Sequence, residues 1–105
     1  MTDWARQQQK KISDIASHML SGAVPYIEGA RSIAGLRFAA GLGADPDILP
    51  FVGVDSETDT LPIDAEVRKL WSPEALEKLQ PKIDRAEDWA RSILESHARS
   101  LLARL

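Results

Sequence analysis

The closing stretch, KIDRAEDWARSILESHARSLLARL from Lys82 to Leu105, places Ile83, Ala86, Ala90, Ile93, Leu94, His97, Leu101 and Leu105 at three- and four-residue spacings. That period lays the apolar side chains along one stripe of an α-helix. Glu87 and Arg91, and Glu95 and Arg99, stand four apart with the acid first. This order adds a few tenths of a kcal/mol per pair on an exposed helix face. Immediately upstream, Pro81 would remove a backbone hydrogen bond and crowd the carbonyl four residues before it. The last helix is therefore expected to run from about Lys82 to Arg104, with Pro81 interrupting or kinking a helix before it. Ser72-Pro73-Glu74 supplies that preceding helix with a cap, a first-turn proline and an acidic first turn. A short helix carrying Val67, Leu70 and Trp71 is expected after Pro62.

From the other end, Trp4, Ile12, Ile15, Ala16, Met19 and Leu20 trace an amphipathic helix over about Asp3 to Ser21. Thr2 or Asp3 can cap its start, and Gly22 can take the left-handed conformation just past its end. A second helix opens at Pro25 and runs to about Ala40, before Gly41. It is rich in small residues, namely Gly29, Ala30, Ser32, Ala34, Gly35, Ala39 and Ala40. The first reading of these is close approach by a neighbouring helix; the alternative is a glycine backbone kept open for a ligand or partner.

Between these helical ends lies the connection of residues 41–62, with Asp45-Pro46-Asp47 and the apolar run Ile48-Leu49-Pro50-Phe51-Val52-Gly53-Val54. Its prolines and glycines argue against a central strand. The run is expected to be irregular or extended, at most one short edge strand, with its apolar side chains in the core and Asp55, Glu57 and Asp59 on a solvent-facing turn. The expected fold is thus mainly α: a single-domain bundle of four to five helices over residues 1–105, with a long irregular central connection.

Composition agrees with one globular domain: 105 residues, 44% hydrophobic and 28% charged. The absence of cysteine excludes disulfides, thiol catalysis and cysteine-bound metals. Residues 1–11 form no apolar leader, and no apolar run nears the roughly 18 residues of a membrane span, so a cytoplasmic protein with no membrane contact is expected. The net charge of −3 is unevenly distributed. Residues 41–66 hold seven acidic side chains and no basic one, while the flanking segments are each slightly basic. Such a field repels phosphates, which argues against nucleic acid and for a basic partner or a cation.

Asp55-Ser56-Glu57-Thr58-Asp59, followed by Asp64 and Glu66, has the alternating oxygens of a calcium loop, with Glu66 at the twelfth position. Thr60 occupies the sixth position, where glycine makes the turn, and Pro62 stiffens the chain, so no metal and no cofactor are assigned. A plainer use of this segment is a turn whose side chains bond their own backbone. Arg31 and Arg37 are candidates for clamping the acidic connection from the second helix. His18, four residues after Asp14, and His97, on the apolar stripe, are read as structural or surface histidines, because nothing in the sequence brings a hydroxyl or second carboxylate to them. Arg85, Arg91, Arg99 and Arg104 alternate with acids and read as a solvated face. Gly41-Leu42-Gly43-Ala44 lacks the third glycine of a dinucleotide fingerprint and the lysine of a phosphate loop.

The segment F-V-G-V-D-S-E-T-D-T-L-P from Phe51 to Pro62, with I-E-G-A-R at Ile27–Arg31 and V-R-K-L-W at Val67–Trp71, resembles a family of small uncharacterised bacterial proteins. The resemblance covers about the middle half of the chain and implies bacterial origin, with no reaction or catalytic residue to carry over. The expected function is a non-enzymatic protein-binding module, such as an immunity or antitoxin-like inhibitor, that meets a basic partner protein through Asp45, Asp47, Asp55, Glu57, Asp59 and Glu66. The alternatives are a small divalent-metal enzyme using Asp55, Glu57 and Asp59, and a structural homodimer.

Overall fold

The computed structural model describes residues 2–105 and contains, among them, five helices and no strand. Helix α1 spans Asp3–Ser21. The Thr2 side chain accepts a hydrogen bond from the Ala5 N–H, and Gly22, at φ 84°, closes the far end by donating its N–H to the carbonyls of His18 and Met19. Its core face is Ile12, Ala16 and Met19, together with a buried Gln8. Trp4, which shares the helical spacing of that stripe, is exposed.

Helix α2, Tyr26–Leu36, buries Tyr26, Ile27, Ala30, Ile33 and Ala34. It ends earlier than the sequence spacing suggests: the chain leaves regular helix after Leu36 and turns through residues 37–41, with Gly41 at φ 72°. Gly29 explains how closely α1 approaches, since a Cβ there would lie 2.4 Å from the Met19 sulfur. No neighbour makes the same demand at Gly35.

The connection expected to be irregular contains helix α3, Leu49–Glu57. Pro50 sits in its first turn, where no intrahelical N–H is needed. Ile48, Phe51 and Val54 recur every three residues and are all fully or almost fully buried, so burial of this face outweighs the poor helix propensity of valine and glycine. Helix α4, Ala65–Arg68, is a single turn with no buried side chain.

Helix α5, Pro73–Arg104, is one continuous helix of 32 residues. It begins as the sequence indicates, with Ser72 accepting from the Ala75 N–H. Pro81 does not divide it. Both Pro81 and Glu77, whose carbonyl loses its partner, are exposed, so the lost bond lies on the solvent side of the helix, where it costs least. At about 1.5 Å per residue α5 is about 48 Å long, which matches the 48 Å longest dimension of the molecule. Its buried residues run from Ile83 to Leu101 and join those of α1, α2 and α3 in one hydrophobic cluster. No helix among the described residues is long and apolar enough to cross a membrane.

Candidate functional site

The acidic connection divides into three parts with different surroundings. At its start, Asp45 and Asp47 are held by the last turns of α5. The Asp45 carboxylate also accepts the Asp47 N–H at 2.9 Å, shaping the turn around Pro46. Arg104 donates to Asp45 at 2.9 Å and to Asp47 at 2.6 Å. His97 Nδ1 lies 3.0 Å from Asp47 Oδ1, and the Ser100 hydroxyl donates to Asp47 Oδ2 at 2.7 Å. These bonds, with His97 first and then Ser100, hold the Asp47 carboxyl down at about 2; Arg104 lowers Asp45 in the same way. Both carboxylates are thus engaged within the fold, with side chains 11% and 21% exposed.

Serine, histidine and aspartate therefore do converge, contrary to the expectation for His97. Their order is not that of an activated nucleophile. Asp47 lies between Ser100 and His97 and accepts from the hydroxyl, whereas activation requires the imidazole to take the serine proton directly. The sequence does contain a signal for this cluster: His97, Ser100 and Arg104 stand three and four apart, a polar row that starts on the apolar stripe of α5 at His97.

At the far end of α3, Arg31 is the clamp. Its guanidinium donates to the carbonyls of Thr58 and Leu61, and it stands 3.6 Å from both Asp55 and Asp64. The Arg31 side chain is 18% exposed, and its buried Nε faces Asp55 without a hydrogen bond. A cation there neutralises the carbonyl end of α3 as well as two carboxylates. Thr58 completes this end, donating its hydroxyl to the Val54 carbonyl at 2.7 Å. Arg37 has no part in it. Its guanidinium donates to the Ala34 carbonyl and lies 4.3 Å above the Phe38 ring.

The third part is a free acidic corner. Glu66 pairs with Lys69 on the surface at 2.9 Å, whereas neither Glu57 nor Asp59 has an ion pair or side-chain hydrogen bond among the described residues. Glu57 is the last residue of α3 and Asp59 follows its cap, so both add negative charge at the negative end of a helix dipole. Among the described residues no three acids or histidines are grouped to hold a metal, so Asp55, Glu57 and Asp59 are not brought together as the metal-enzyme alternative requires.

Beside this corner the surface is hollowed between α3 and α5. Two adjoining depressions, of about 400 and 260 Å³, share Glu57 and Trp89 in their walls. Pro50, Gly53, Val54 and Ile93 line the larger; Thr58, Leu61, Lys82 and Ala86 line the smaller. Trp89 is 41% exposed between them. Gly53 is exposed in the middle of α3 and a Cβ there would touch nothing. In such a helical position glycine costs roughly 1 kcal/mol relative to alanine, and no contact within the fold requires it.

No protein-family model matches the chain, and no curated protein or solved structure matches it significantly.

Proposed function

We propose that this protein is a non-enzymatic protein-binding module that presents the acidic corner at the end of α3 to a basic partner protein, in the manner of a bacterial cytoplasmic immunity or antitoxin-like inhibitor. The observation that carries this is the uncompensated pair Glu57 and Asp59. The other carboxylates between residues 45 and 66 all meet a cation of the fold, while these two stand at the end of a helix that disfavours them. Exposed charge that does not help the fold is available to steer and orient a partner of opposite sign. The neighbouring Trp89 adds the kind of aromatic anchor that supplies much of the energy in protein interfaces.

The experiment is affinity capture from extracts of the native host with the wild-type chain and with Glu57→Lys/Asp59→Lys. A basic protein retained by the wild type, released by salt and lost from the double variant is the expected result. Equal retention by both forms would overturn the proposal.

A further inference from the structure

The same corner continues into a groove whose walls have a regular form. On α3, Pro50, Gly53 and Glu57 stand three and four residues apart; on α5, Ala86, Trp89 and Ile93 repeat that spacing. Each row covers two helical turns, about 10 Å. Two such rows side by side form the kind of groove into which the ridge of another helix packs. Gly53, at the middle of the α3 row, leaves room there for close approach by another backbone. The described residues include no strand, so an extended partner has no sheet edge to join.

We infer that the groove between α3 and α5 receives an amphipathic helix of the partner, with its apolar ridge against Trp89 and Gly53 and a lysine or arginine paired to Glu57. The inference rests on the binding-module proposal and specifies its occupant. Charge complementarity selects a cation for the α3 end of the groove, where Glu57 is the one charged residue lining the larger depression and Asp59, unpaired among the described residues, follows two residues on. Lys82, in the smaller depression, gives the groove a second and opposite pole, which favours one direction of the incoming helix.

The test titrates a fluorescein-labelled amphipathic peptide of about 14 residues, with leucines at helical spacing and lysines elsewhere, into the intact protein. A peptide with glutamate in place of lysine serves as the charge control. Glu57→Lys and Gly53→Leu are each expected to weaken the lysine peptide about tenfold, a typical loss for a disrupted interface centre. Glu77→Lys makes the same charge change outside the groove lining and is expected to leave binding unchanged; circular dichroism confirms that all three variants are folded. The groove assignment is overturned if the lysine peptide does not bind, if the glutamate peptide binds equally, or if Glu77→Lys weakens binding as much as Glu57→Lys. Sedimentation of the protein alone provides a further check: self-association abolished by Gly53→Leu would assign the groove to a second copy and overturn the proposal. Host-protein capture separates the two levels. Loss with the acidic-corner variants but not with Gly53→Leu overturns only the groove, whereas indifference to all of them overturns the binding module too.

Discussion

Arg31 and Glu57 lie at the same end of α3 and have opposite relations to the fold. Arg31 is mostly buried, donates to two carbonyls and faces two carboxylates. Removing it leaves those acceptors and the helix end without a cation. Arg31→Ala should therefore destabilise the protein by about 2 kcal/mol, less than a fully buried network because Asp55 and Asp64 reach solvent; urea denaturation checks this. Asp47 gives a pH-dependent counterpart. Its carboxyl is held at about 2 by His97, Ser100 and Arg104, so the stability it contributes is present above its unfolded value near 4 and is lost as pH falls toward 2. Screening at a partly open site keeps that contribution to about 1 kcal/mol. The difference in urea midpoint between wild type and Asp47→Asn should be nearly full at pH 5 and fall to a small fraction of that by pH 2. A difference independent of pH over that interval would contradict the assignment.

At the scale of elements, an unexpected contact fixes the start of α2. Pro25 precedes the helix without a capping side chain, and Glu87 of α5 supplies the cap, accepting the Tyr26 N–H at 2.6 Å and the Ile27 N–H at 2.9 Å. The sequence suggests an i to i+4 pair between Glu87 and Arg91, but the carboxylate instead bridges elements 60 residues apart. Replacing Glu87 with Ala should cost about 1 kcal/mol, as for other lost helix caps, and should speed amide exchange at Tyr26 and Ile27. Local spacing showed α1 and the apolar stripe of α5 because period and caps agree there. It concealed α3, where prolines and glycine suggest irregular chain and only the three-residue recurrence of Ile48, Phe51 and Val54 points the other way. The candidate site was legible as an excess of acid but not as its parts. Separating Asp45 and Asp47 from Glu57 requires knowing that the end of α5 returns to the start of the connection, a contact more than 50 residues apart in sequence.

For the molecule as a whole, the distribution of charge matters more than its sum. Arg31 and Arg104, on two different helices, each take up part of the acidic connection, and the charge left without an ion pair among the described residues, Glu57 and Asp59, stands beside the hollow between α3 and α5. Folding and binding then draw on different carboxylates, so reversing Glu57 and Asp59 should spare the fold while abolishing recognition. One comparison places partner affinity and melting temperature side by side for the wild type and Glu57→Lys/Asp59→Lys. The expected result is affinity lower by at least about tenfold with a melting temperature unchanged or slightly raised; undiminished affinity in a folded double variant would contradict the role assigned to this corner.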